Sequence, residues 1–184
     1  MNSLQGHLLI AAPSLIAPIF TRSIILMIDH DEDGAMGVIL NLRIDATATD
    51  LAGKIVEDGF SWDKPLNLGG PVSGPLMVLH AVPDLADREI IPGVFLAIDA
   101  DRVGEILSRK VEPSVIVVNY SGWSAGQLEG EFEWDSWLTL PATAEHVFGP
   151  VEVNLWETVV KQVSIRTLAE FFGVREVPPD PNMN

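Results

Sequence analysis

Cysteine is absent from this 184-residue chain, and lysine and arginine together number only 11 against 26 aspartates and glutamates. Without a thiol, the chain forms no disulfide, thiolate zinc site, iron–sulfur cluster or cysteine nucleophile. The formal net charge of −15 repels phosphate backbones and anionic lipid, and Arg109-Lys110 is the only adjacent basic pair. We therefore expect no direct contact with nucleic acid and no membrane association.

Long hydrophobic runs are also missing, since none approaches the roughly 18–20 residues that a membrane-spanning helix needs. The apolar residues 8–12 follow no lysine or arginine, and Pro13 and Pro18 interrupt the stretch, which differs from a signal peptide. These features predict a soluble, cytoplasmic protein. Its apolar fraction of 47% is too high for a disordered chain.

Short runs rich in branched apolar residues predict buried strands at residues 8–12, 24–28, 37–40, 76–82, 94–98 and 115–118. Asp33-Gly34 predicts a hairpin turn between the second and third runs. Helices are predicted over 50–56 and 99–110, in the segment opened by Ser124, and from Asn154 onward. We therefore predict one α+β domain over residues 1–173, followed by a flexible tail over 174–184.

Residues 29–34, Asp-His-Asp-Glu-Asp-Gly, match the opening of a calcium-binding loop. That loop needs a bidentate carboxylate at its twelfth position, where this chain has Leu40. The flanking segments are predicted strands, whereas the loop needs helices. The acids are therefore interpreted as a solvated hairpin tip.

Residues 122–126, Gly-Trp-Ser-Ala-Gly, match the Gly-x-Ser-x-Gly elbow of serine hydrolases, and Asp135 and His146 follow in the order that those enzymes use. Ser124 also stands three residues before Gln127, which is the spacing of a capping box. We predict that Ser124 is a helix N-cap, and a hydrolase with Ser124 as nucleophile is the alternative.

The remaining motifs predict no cofactor and no metal. The four histidines show no metal-binding spacing. Residues 69–72, Gly-Gly-Pro-Val, lack the lysine of a phosphate-binding loop, which favours a tight approach between strands. Small residues surround Trp123 within residues 120–129, and Trp134 and Trp137 follow. This pattern fits either a cleft wall or a helix entry with core tryptophans.

Several motifs, in this order, resemble the YqgE/AlgH family from Gly6 to Trp156. They are Gly6-His7-Leu8-Leu9-Ile10-Ala11-Ala12-Pro13, Phe20-Thr21-Arg22-Ser23, His30, Asp33-Gly34-Ala35-Met36-Gly37, Asn41, Gly69-Gly70-Pro71-Val72, Leu79-His80, Tyr120-Ser121-Gly122-Trp123, Gly126-Gln127-Leu128-Glu129, Trp137 and Trp156. The chain departs from the family at Asn119 and Ser124, where glycine is common.

The resemblance implies an α+β fold with a mixed or barrel-like sheet and peripheral helices. It implies no established catalytic activity, although some members carry the label of transcriptional regulator. We expect a non-enzymatic protein that binds a small molecule or a protein in a cleft near residues 121–129. The candidate ligand-binding residues are Arg22, His30, Asn41, His80, Trp123 and Gln127. The alternative is an enzyme, either the Ser124 hydrolase or an acid–base catalyst using His30 or His80.

Overall fold

Strands dominate the computed structural model, which describes residues 2–51, 53–149 and 154–171. Within those ranges ten strands form one curled sheet, and four α-helices lie around it. The strands are β1 (His7–Ala11), β2 (Ile24–Asp31), β3 (Gly34–Ile39), β4 (Arg43–Thr47), β5 (Pro65–Leu68), β6 (Val72–His80), β7 (Arg88–Ile91), β8 (Val94–Ala97), β9 (Ser114–Ser124) and β10 (Trp137–Pro141). The helices are α1 (Ala100–Ser108), α2 (Gln127–Glu133), α3 (Ala144–Phe148) and α4 (Leu155–Phe171), with 3₁₀ turns at Ala48–Leu51 and Pro83–Leu85.

The sheet has the order β10-β1-β2-β3-β9-β6-β8-β7, and the β4–β5 pair joins it at β9. The eleven residues of β9 connect the two halves of the sheet. Its last residues pair with β3, while its first residues pair antiparallel with β6 and parallel with β5. This arrangement is a mixed sheet within an α+β fold, as the sequence predicts.

The sheet curls until β7 meets the start of β1 and the end of β2. The Arg88 guanidinium donates to the carbonyl oxygen of Ile28 at 2.9 Å and to the Asp29 carboxylate at 3.2 Å. Gly6, with φ +73°, allows the start of β1 to lie close to β7, because a Cβ on Gly6 would lie 2.9 Å from Cγ2 of Ile91. The result is a half-barrel whose interior is lined by both halves of the sheet.

Apolar side chains on both faces of the sheet are buried, which explains why β1 and β2 read as continuous apolar runs. Leu8 and Ile10 face the half-barrel interior, where Trp156 and Val159 of α4 pack. Leu9 lies on the opposite face, beneath Leu128 of α2. The outer face of the other half is covered by α1.

Close backbone contact explains the glycines before β6. A Cβ on Gly70 would lie 2.3 Å from the Tyr120 carbonyl oxygen, so the predicted approach between strands is confirmed. Asn119 has φ +63°. Asparagine tolerates this left-handed conformation better than most residues do, which accounts for asparagine where the family commonly has glycine.

All six predicted strands are present, with different ends, but β4, β5, β7 and β10 were not predicted. Each of these four strands spans only four or five residues, and sheet pairing rather than local pattern forms them. The predicted 50–56 helix is wrong, because only the Ala48–Leu51 turn forms. Asp31 and Gly34 pair at the hairpin, so its turn residues are Glu32 and Asp33, one position earlier than predicted.

Helix α1 is confirmed, and the Asp99 side chain caps it by accepting from the backbone N–H groups of Asp101 and Arg102. Helix α4 is also confirmed, with Asn154 Oδ1 accepting from the Glu157 N–H at 3.4 Å. The tail predicted over 174–184 lies outside the described residues.

Candidate functional site

Trp123 and Gln127 meet at the carboxylate of Glu131 on α2. Trp123 Nε1 donates to Glu131 Oε2 at 3.0 Å, and Trp137 Nε1 donates to the same oxygen at 2.7 Å. Gln127 Nε2 donates to the other oxygen at 3.1 Å. Both indoles are buried, with 7% and 5% of their surfaces exposed. Of the two predicted alternatives for this segment, a helix entry with core tryptophans matches these contacts for Trp123 and Trp137, but Trp134 is 83% exposed and is not a core residue.

The predicted N-cap at Ser124 is wrong. Helix α2 begins at Gln127 with Gly126 at the N-cap, and no side chain caps it. Ser124 is the last residue of β9 because its pairing with Gly34 extends the strand to that point. One bond of the predicted capping box does form, since Gln127 Oε1 accepts from the Ser124 N–H at 3.1 Å.

The geometry at Ser124 does not resemble a catalytic triad. Ser124 is exposed, and no histidine ring nitrogen within the described ranges bonds to it. His146 Nδ1 accepts from the Thr143 N–H at 3.0 Å, and its Nε2 lies 3.2 Å from Gln162 Oε1. His146 therefore caps α3 and links it to α4.

His30 connects the N-terminal segment to α2. Its Nδ1 accepts from the Leu4 N–H at 3.0 Å, and its Nε2 lies 3.0 Å from Glu129 Oε1. Since Nδ1 accepts, the ring proton is on Nε2, which donates to Glu129. The Glu129 backbone N–H and the bond from His30 lower the pKa of the Glu129 carboxyl. Neither nitrogen of His30 is free for a ligand.

Arg22 and Asn41 hold one turn together. Asn41 Oδ1 accepts from the Ile24 N–H at 2.9 Å, and its Nδ2 donates to the Arg22 carbonyl oxygen at 2.8 Å. The Arg22 guanidinium lies 5.2 Å from the centre of the Trp156 ring, within the range of a cation–π contact. The amide of Asn41 therefore has protein partners at both ends.

His80 lies in the other half of the sheet, fully buried on β6. Its Nδ1 accepts from the Val82 N–H at 3.2 Å, while Nε2 has no partner. Burial lowers the pKa of His80, and the nearby charge of Asp87 partly opposes that effect. Since Nδ1 accepts a hydrogen bond, the ring proton is on Nε2, and the ring in this form cannot take a proton there from a neighbouring hydroxyl.

Ser114 of β9 pairs directly with His80 of β6, which places their side chains on the same face of the sheet. Ser114 is only 4% exposed, and its hydroxyl oxygen has no hydrogen-bond partner. Buried polar groups in proteins are usually paired, because an unmade bond costs about 1–3 kcal/mol. Two unpaired polar atoms on facing residues therefore mark an unusual position in this fold.

Ser114 also lines a cleft of about 470 Å³, within the roughly 300–1,000 Å³ of small-molecule sites. One wall consists of β4, the start of β5 and the start of β9, and the other consists of α3 and α4. Leu40, Val115, Val147, Phe148 and Leu155 give the cleft an apolar surface.

The charged groups of the cleft come from both walls. Lys64 and Glu112 are already paired at 2.7 Å. Arg43, on the strand wall, and Glu145, on the helix wall, are exposed and have no partner in the described part of the chain. The cleft can therefore offer a ligand one cation and one carboxylate.

The six predicted ligand-binding residues do not gather in this cleft, and only Asn41 lines it. Trp123, Gln127 and His30 lie around α2, and His80 lies beside Ser114 on the same face of the sheet and does not line the cleft. The sequence did not indicate Arg43, Ser114 or Glu145, because the cleft joins segments far apart in the chain. The single local signal is a serine directly before the apolar run 115–118.

Within the described ranges, no cluster of three or more histidine, aspartate or glutamate side chains could hold a metal ion. None of the described helices has the length and apolarity required to cross a membrane.

Comparison with known proteins identifies the family of this chain. The AlgH-like family model matches residues 8–168. A UPF0301 protein of Chlorobaculum tepidum is 35% identical over 97% of this chain and 95% of its own length. A UPF0301 protein of Vibrio parahaemolyticus is 33% identical over 89% of this chain and 93% of its own. The solution structure of the AlgH protein from Pseudomonas aeruginosa has a TM-score of 0.74 at 24% identity and covers 97% of both chains. The chain belongs to the AlgH-like family.

Proposed function

We propose that this protein is a non-enzymatic binding protein that holds a small molecule in the cleft between the β4–β5–β9 wall and the α3–α4 wall. The observation that carries the proposal is the pair of charged side chains on the two walls, Arg43 and Glu145, which are exposed and have no partner in the described part of the chain. A ligand of complementary charge can bind to both without breaking an existing ion pair.

The segment around Trp123 offers less to a ligand. The polar groups of Trp123, Gln127 and Glu131 bond to one another, and both indoles of the cluster are buried. A ligand there would have to break existing bonds, whereas the Arg43 side chain has no partner to give up within the described residues.

Catalysis is not part of the proposal. Among the described residues no histidine ring nitrogen bonds to Ser124, and the ring proton of His80 is on the nitrogen that a base would need free. Binding without reaction requires only the complementary surface that the cleft provides.

The test is a metabolite library screened by ligand-observed NMR and by thermal shift, using the full chain and two variants. Thr158→Trp fills the cleft from α4. Thr167→Trp is its matched control, because Thr167 lies on the same helix, makes the same hydroxyl-to-backbone bond and does not line the cleft.

We expect ligands of the wild-type protein to be lost in Thr158→Trp and retained in Thr167→Trp, with amide spectra showing that both variants are folded. Binding that persists in a folded Thr158→Trp variant would place the ligand elsewhere. A wild-type protein that binds no library member would reject the proposal.

A further inference from the structure

The two unpaired charges of the cleft lie on opposite walls. Arg43 is the first residue of β4, and Glu145 lies in the first turn of α3. The other charged pair of the cleft, Lys64 and Glu112, is already neutralised at 2.7 Å. A ligand that completes the site must therefore provide a negative group to one wall and a positive group to the other.

Arg43 differs from the other arginines with described contacts. Arg88, Arg102 and Arg109 are ion-paired, and Arg22 lies over an indole ring. In a chain with 26 acidic and 11 basic residues, an arginine that has no carboxylate partner among the described residues is available to a ligand. The guanidinium fork suits a carboxylate in particular, because it can form two parallel hydrogen bonds to it.

Between the charges, the cleft lining combines apolar side chains with hydroxyl, amide and imidazole groups. Leu40, Val115, Phe148 and Leu155 can cover a hydrocarbon side chain. A carboxylate, an ammonium group and an apolar body occur together in amino acids and short peptides with free ends.

We infer that the cleft binds an apolar amino acid or short peptide as a zwitterion, with its carboxylate at Arg43 and its ammonium group at Glu145. This inference rests on the proposed function, since it names the ligand class of the same cleft.

The experiment compares four probes by isothermal titration calorimetry. Leucine and leucyl-leucine are zwitterions of two lengths, N-acetyl-leucyl-leucine retains only the carboxylate, and leucyl-leucine amide retains only the ammonium group. We expect one zwitterion to bind at least about tenfold more tightly than either blocked form, since each blocked form loses one charge pair.

Variants test which charged group of the ligand binds at Arg43 and which binds at Glu145. Arg43→Gln should weaken binding of the zwitterion about tenfold and leave the amide unchanged, because the amide has no carboxylate to lose. Glu145→Gln should weaken the zwitterion and leave the N-acetyl form unchanged. Arg109→Gln is the matched control, because Arg109 pairs with Glu105 on α1, away from the cleft, and it should change nothing.

The opposing outcomes separate the inference from the proposed function. If the N-acetyl form binds as tightly as the zwitterion, or if Arg43→Gln weakens all probes equally, the inference is wrong. If no probe binds while the library screen finds another ligand that Thr158→Trp excludes, the inference fails and the proposed function stands. If the screen also finds no ligand, both fail.

Discussion

Trp123 and Trp137 donate their indole N–H groups to the same carboxylate oxygen, Oε2 of Glu131, and their rings meet edge to face with centroids 6.2 Å apart. The two tryptophans lie on β9 and β10, which three other strands separate in the sheet order. Helix α2 crosses that interval, so one glutamate fixes the helix to both strands.

Replacement of Glu131 by alanine should destabilise the fold by about 2–4 kcal/mol, because two buried indole N–H groups lose a charged acceptor. Urea unfolding followed by tryptophan fluorescence measures this loss. Glu133→Ala on the same helix is the control, since Glu133 is exposed and should change stability by less than about 0.5 kcal/mol. Equal effects of the two changes would contradict the assigned role of Glu131.

Ser124 should be dispensable for stability. Ser124→Ala removes a hydroxyl that caps no helix, so the free energy of unfolding should change by less than about 0.5 kcal/mol. Gln127→Ala should cost about 1 kcal/mol, because Gln127 Oε1 accepts from the Ser124 N–H and its Nε2 donates to Glu131. Thermal and urea melts compare the two variants directly.

A fluorophosphonate probe tests the hydrolase alternative on the same proteins. We expect no labelling of the native chain, since Ser124 has no histidine partner in the part of the chain that the structure describes. Stoichiometric labelling that disappears in Ser124→Ala would establish a nucleophile and reject the non-enzymatic proposal.

His80 should make the fold less stable as the pH falls. Burial lowers its pKa in the folded chain below the ordinary value of 6.5, and Asp87 only partly opposes this. The unfolded chain therefore takes up a proton first, and unfolding becomes easier between pH 6.5 and the lower folded-state pKa. Above that window, the contribution of His80 to stability is complete.

Unfolding free energies measured at about pH 7.5 and about pH 5.5 test this linkage. His80→Gln should have a smaller loss between the two pH values than the wild-type protein, because its side chain does not titrate. The comparison cancels contributions that both proteins share, including those of the other histidines. A larger pH-dependent loss in the variant would show that the sign is wrong.

Random duplex DNA should not bind to this protein. Its net charge of −15 opposes the phosphate backbone, and the repulsion is strongest at low salt, where screening is weakest. An electrophoretic shift assay at low ionic strength tests this under the conditions most sensitive to charge. A sub-micromolar complex there would contradict the prediction. If no complex forms, any regulatory role of this protein must act through a protein partner.

Local patterns in the chain were enough to predict much of the fold. Strands such as β1 and β2 are continuous apolar runs, and α1 begins at an aspartate that caps it, so each element carries its own signal. The Ser124 cap failed because β9 keeps pairing with β3 through that residue. Strand pairing is a long-range contact, and spacing within one segment does not report it.

The chemistry of the cleft depends on long-range contacts even more than the fold does. Arg43, Ser114 and Glu145 belong to β4, β9 and α3, and nothing near any of them in the chain indicates the other two. Composition and the order of the motifs were sufficient to predict the family and the α+β class, because these features are distributed along the whole sequence. The cleft and its two opposing charges arise only when the sheet curls and α3 and α4 pack against it, since burial and distance are properties of the folded chain.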